Sequence, residues 1–220
     1  MFTGGYGIRP YGKRTVVRKM FTIQQAREEL RIAAANNPGP WEQHSLVTAD
    51  NARRIAEKTT GMDPEKAYIM GLLHDIGRRY GVTGMRHVID GYTYLMQLGE
   101  PELAVICLTH SFASPNIEHF EGKHDCTAEQ KNFIKDFIEN REYDDYDKLI
   151  QLCDALSLPE GACLMEKRFV DVALRYGVQD YTTTRWRAYL EHKKYFDTLC
   201  GCDIYSLLPG IYENSFKVTL

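Results

Sequence analysis

Between residues 22 and 200 the apolar positions recur with a period near 3.6, and strict alternation is almost absent. This pattern predicts helices over about 22–35, 41–59, 83–98, 103–110, 127–139, 159–176 and 183–199, with another starting at Pro64. Punctuation supports several of these bounds. Thr22 and Gln25 form a capping-box pair, Asn36-Asn37-Pro38-Gly39-Pro40 breaks the chain, Asp63-Pro64-Glu65 opens a helix, and Asp144-Asp145 caps another. The class is all-α, a multi-helix bundle with no convincing sheet. Residues 1–20 show no clear period and read as an N-terminal arm. Residues 111–126 read as a long loop, a length usually reserved for function.

In the Pro64 helix, Ile69, Leu72, Leu73 and Ile76 make one core-facing stripe. The stretch Gly71-Leu72-Leu73-His74-Asp75-Ile76-Gly77-Arg78 places His74 and Asp75 on the opposite, small and polar side, with Gly71 leaving room for a close neighbour. Gly77 and Gly81 end the helix. A buried carboxylate without a partner is costly, and a metal ion would satisfy both groups at once. Taken alone, a histidine–aspartate pair is better read as a hydrogen-bonded core contact. Two further residues change that balance. His44 lies on the 41–59 helix on the face of Thr48, Asn51 and Ile55. Asp154 lies off the Leu149, Leu152, Cys153 and Leu156 stripe, among aliphatic neighbours.

The ordered set His44, His74-Asp75, Asp154 resembles the H…HD…D pattern of HD-domain metal-dependent phosphohydrolases over about residues 41–158. The resemblance implies that these four residues hold a metal in a bundle, with the site between helices. Met85-Arg86-His87 and Leu108-Thr109-His110 look like segments that supply extra histidines in dinuclear members, the bacterial HD-type diadenosine tetraphosphate hydrolases in particular. On that match Asp75 bridges two ions, and His87 and His110 bind the second. The implied cofactor is one or two divalent transition ions (Fe, Mn, Co, Ni or Zn, with Mg suited less well), and the implied substrate is a small phosphorylated molecule such as a nucleotide. Asp75 and Arg78 are the expected catalytic residues. Arg78 would orient phosphate, with Arg79 and Arg86 as further candidates.

The chain departs from the family pattern at three points. Arg78 stands where many relatives have lysine. The Gly-Tyr-Pro element of cyclic-di-GMP phosphodiesterases is missing. The segment from His110 to Asp154 is long for the compact hydrolase type. A di-iron oxygenase on the same scaffold and a non-catalytic regulatory module are the alternatives.

Composition narrows the remaining choices. The 220 residues are 44% hydrophobic and 26% charged with net charge −3, which argues against a nucleic-acid or anionic-membrane surface. Six cysteines without a CxxC pair suggest reduced thiols and a cytoplasmic protein. His119 and His124 read as solvated loop residues and His192 as a surface residue. The expected organisation is an arm (1–20), a metal-binding helical domain (21–160) and a helical extension (161–220) packed on it, which would cover the pocket or form a homodimer surface.

Overall fold

The computed structural model describes residues 20–216; the N-terminal arm read from the sequence thus lies almost wholly outside the described residues. The helices are α1 (Ile23–Asn36), α2 (Trp41–Ala56), α3 (Pro64–Leu73), α4 (Arg86–Leu98), α5 (Pro101–Thr109), α6 (Ala128–Glu139), α7 (Asp145–Ala155), α8 (Met165–Tyr176), α9 (Thr182–Cys200) and α10 (Ile211–Phe216). The protein is an all-α bundle. Its one sheet among the described residues is a two-residue antiparallel hairpin, β1 (Ser157–Leu158) and β2 (Gly161–Ala162). This hairpin replaces the first turn of the helix expected from residue 159, so α8 begins only at Met165.

The capping predictions hold. Thr22 accepts from the Gln25 backbone at 3.2 Å while the Gln25 side chain takes the Thr22 amide at 2.9 Å. Asp63 caps α3 through the amides of Glu65 and Lys66, and Asp144 caps α7. The Pro64 helix departs from its predicted course. α3 stops at Leu73, and a 3-10 turn runs from Ile76 to Tyr80. The apolar stripe continues through this break because the turn keeps Ile76 fully buried.

Two glycines set the packing around it. A Cβ at Gly71 would sit 2.6 Å from the Ala49 Cα, so only glycine lets α3 lie this close to α2. A Cβ at Gly77 would meet the His87 carbonyl oxygen at 2.0 Å and the Gly91 amide at 2.5 Å. Gly77 therefore lets the 3-10 turn seat directly on the start of α4. Because backbone cannot move aside as a flexible side chain can, Gly77→Ala is expected to cost about 3 kcal/mol of stability, checked by urea denaturation.

One continuous core joins α1, α2, α3, α5 and α7 with Phe169 of α8 and Tyr189 and Phe196 of α9. A second cluster lies under the 111–126 loop, around Phe112, Ile117, Phe120 and Ile134. The six cysteines are free thiols. No helix among the described residues is long and apolar enough to cross a membrane.

Candidate metal centre

Five helices converge on one point. His44 comes from the first turn of α2, His74 from the C-cap of α3 and Asp75 from the residue after it. His87 is the second residue of α4, His110 the C-cap of α5, and Asp154 lies in the last turn of α7. The imidazoles form a row: ring centroids are 5.3 Å apart for His44–His74, 5.0 Å for His74–His110 and 5.3 Å for His87–His110. All four histidines and Asp75 are buried, and Asp154 is partly so.

Helix ends explain how the rings are aimed. The last carbonyls of a helix have no partner within it, and the following histidine can take one. His74 Nδ1 lies 2.7 Å from the Gly71 oxygen, and His110 Nδ1 3.0 Å from the Cys107 oxygen. His87 Nδ1 lies 2.5 Å from the Gly84 oxygen, and His44 Nδ1 3.2 Å from the Ser157 oxygen in the hairpin. Each Nδ1 faces an acceptor, so it carries the proton and donates. A neutral ring then presents a lone pair at Nε2.

Those lone pairs point at carboxylate oxygens. His87 Nε2 is 3.2 Å and His110 Nε2 3.5 Å from Asp75 Oδ1, and His44 Nε2 is 3.0 Å from Asp154 Oδ1. The Ser111 hydroxyl, 3.0 Å from His110 Nε2, is the one nearby donor to that nitrogen. His74 Nε2 and Asp75 Oδ1 have no hydrogen-bond partner although both are buried. Acceptor facing acceptor in a buried site is repulsive unless a cation lies between them, so the donor set fits a metal ion. Among the described residues two groups have ligand atoms mutually within 4.8 Å: His44, His74 and Asp154, and His74, Asp75 and His110. His87 adjoins the second through Asp75 and through His110, whose Nε2 is 3.3 Å away.

Protonation states favour the same use. Burial pushes His74 down to about 4, so its ring is neutral near pH 7. Burial, and then the charge of Arg78, lowers His87 as well. Burial opposes ionisation of Asp75, but Arg78 and the surrounding imidazoles hold it well below the usual carboxylate range; Arg78 Nε is 2.5 Å from Oδ2. Asp154 is likewise held low against its burial, mainly by His44. The nearby Cys107 and Cys153 thiols are pushed up by burial and stay protonated. The available donors are therefore imidazole nitrogen and carboxylate oxygen.

The HD-domain family model matches residues 41–158, more than half of the chain. This chain belongs to the HD-domain family. Neither a curated protein nor a solved structure matches it. HD domains bind divalent metals and are in general metal-dependent hydrolases, which agrees with the buried His/Asp groups.

The centre of this HD-domain protein opens into a cavity of about 330 Å³, with α8 and α9 as its roof. Arg78 lines it, but Arg79 and Arg86 do not. Arg79 stacks on Tyr94 at 3.8 Å and pairs with Glu29, while Arg86 pairs with Asp90 at 3.2 Å. The cavity instead gains Arg168 and Arg175 of α8 and Arg185, Trp186 and Tyr189 of α9, which sequence reasoning missed. The available signal was the spacing of Arg168, Val172 and Arg175, which puts all three on one helical face.

His124 is exposed, whereas His119 is half-buried, stacked on Tyr181 with ring centroids 5.0 Å apart. His192 is not the surface residue expected. Its Nε2 lies 2.9 Å from Gln151 Oε1, and burial lowers it to about 4. Gln151 in turn donates to the Thr109 oxygen at 2.9 Å, so His192 braces the end of α5 that carries His110.

Proposed function

We propose that this HD-domain protein hydrolyses a phosphoester or phosphoanhydride of a small molecule such as a nucleotide, with His44, His74, Asp75, His87, His110 and Asp154 holding one or two divalent ions. The observation carrying this reading is the buried array of imidazole lone pairs and carboxylates at the floor of a cavity lined by four arginines. When bound, a divalent transition ion (Fe, Mn, Co, Ni or Zn) lowers the pKa of a water toward about 7 and offsets negative charge on the phosphate. The oxygen- and nitrogen-only donor set suits these ions, and Mg less well.

The chain's own residues supply the rest. The backbone carbonyls at Gly71, Gly84, Cys107 and Ser157 fix each Nδ1–H, so each Nε2 presents its lone pair as a would-be ligand, that of His110 once the Ser111 hydroxyl turns away. Asp75 Oδ1 faces two imidazoles, and that position suits a bridging ligand. Arg78 holds Asp75 Oδ2 through Nε, which leaves its terminal guanidinium nitrogens for a phosphate oxygen. The segments around His87 and His110 resemble those of bacterial HD-type diadenosine tetraphosphate hydrolases, which makes dinucleoside polyphosphates worth including among the substrates. The arginine-rich lining favours an anionic substrate over the polyol expected of an oxygenase.

The test is phosphate release from a panel of nucleotides, dinucleoside polyphosphates and simple phosphomonoesters with Mn, Fe, Co, Ni, Zn and Mg. Turnover that appears with a transition ion and disappears with chelator is expected. No turnover on any compound, with oxygen consumed in the presence of a polyol, would replace the hydrolase reading with the oxygenase.

A further inference from the structure

Four guanidiniums against three carboxylates line the cavity, and any divalent ion adds to the positive excess. Two of the four are paired with a carboxylate. Arg78 is bonded to Asp75, and Arg185 to Glu121 with both side chains largely buried. The other two stand on one face of α8. Asp171, which lies between them in sequence, is already paired with Lys167 at 3.1 Å. Arg175 Nε donates only to the Asp171 backbone oxygen at 3.3 Å. Among the described residues neither Arg168 nor Arg175 has a carboxylate within ion-pair distance. Arg175, although its side chain is exposed, is lowered first by partial desolvation of its guanidinium and next by the charge of Arg168. Asp171 and Glu121 are near enough to act on Arg175, but each is ion-paired elsewhere, so two like charges on one helical face at the rim of a pocket are stabilised by an anion that bridges them.

We propose that Arg168 and Arg175 form a second anion subsite, so that the substrate carries another anionic group besides the phosphate held at the metal centre. The proposal rests on the reading of this cavity as a phosphate-ester site and deepens it. Both residues lie beyond residue 158, outside the part of the chain that matches the family model. The subsite is therefore a specificity feature built by the C-terminal helices. Guanidinium forks match phosphate or carboxylate oxygens in pairs, and α8 presents its two forks about two turns apart. A substrate with one isolated phosphate would engage only the floor of the cavity.

The experiment is calorimetry on the purified protein with inorganic phosphate and inorganic tripolyphosphate as probes. Metal content is measured before and after, since tripolyphosphate itself chelates. Wild-type protein is expected to bind tripolyphosphate at least about tenfold more tightly than phosphate, and R168A/R175A to lose that preference while keeping its affinity for phosphate. Equal binding of the two probes by the wild type, or an undiminished preference in the double variant, would overturn the proposal. Should the double variant misfold, R175A decides, since Arg175 is exposed and its removal leaves the core untouched; it should lose part of the preference. The two readings fail separately. Metal-dependent turnover without a tripolyphosphate preference removes the subsite alone, whereas the preference without turnover on any phosphoester removes the hydrolase reading alone.

Discussion

Asp75→Asn is expected to abolish metal-dependent turnover and to lower metal affinity by more than about 100-fold, while leaving the metal-free protein at least as stable as the wild type. The two halves of this result have one cause. In the metal-free site Oδ1 faces the lone pairs of His87 and His110 at 3.2 and 3.5 Å, an acceptor between acceptors, while Oδ2 accepts from Arg78. An asparagine of the same shape can keep its oxygen toward Arg78 and turn its amide toward the imidazoles, where N–H now meets a lone pair. The contact that was repulsive becomes a hydrogen bond, and a carboxylate that would help hold and neutralise an ion is gone. Changes to outer-shell partners alone typically cost 10–100-fold in affinity, so loss of a carboxylate from the centre should exceed that. Metal analysis and thermal melting of both proteins, with and without the ion, measure the two halves together. A variant that keeps its metal but melts well below the wild type would make Asp75 a structural acceptor instead.

The course of α3 shows where local pattern stops being informative. Ile69, Leu72, Leu73 and Ile76 keep helical spacing across the end of the helix, because the 3-10 turn returns Ile76 to the same core. Periodicity therefore reads one helix where there are two elements. The break matters chemically: ending α3 at Leu73 frees the Gly71 carbonyl to fix the tautomer of His74. Single-sequence pattern does identify Gly71 as a point of close approach, since a small residue on the polar face of a buried helix has few other uses. It also brings out His44, His74-Asp75 and Asp154 in order, because charged or ionisable groups among aliphatic residues need partners. The roof of the cavity was not legible in the same way. α8 and α9 are recognisable as helices, but Arg168, Arg175 and Arg185 look like ordinary surface charges until the chain turns at Gly177 and lays both helices over the site. His192 is a similar case. Its environment comes from Gln151, 41 positions away, and no local period encodes that contact.

Acid should therefore unfold the metal-free protein readily. His74 is fully buried and titrates at about 4 in the folded state, against about 6.5 for an ordinary imidazole. Between those values the unfolded chain binds a proton that the folded chain refuses, so stability is lost as pH falls through this window. From pH 7 to pH 5 the loss from His74 is about 2 kcal/mol. His87, lowered by burial and by Arg78, contributes with the same sign. His192 is lowered to about 4 as well, but its partial exposure makes its share smaller. Below pH 4 Asp75 and Asp154 act the same way, since their folded carboxyls lie under the ordinary range while the unfolded ones take up protons. Urea denaturation at pH 7 and pH 5, with and without a bound ion, separates the contributions. The ion should add stability at pH 7, and that gain should shrink at pH 5 because protons compete for the same Nε2 lone pairs. His192→Gln, away from the centre, should reduce the acid sensitivity by the same amount whether or not metal is bound. Equal stability of the metal-free protein at both pH values would mean that the imidazoles are not held neutral by burial, and the tautomer argument for the centre would fall with it.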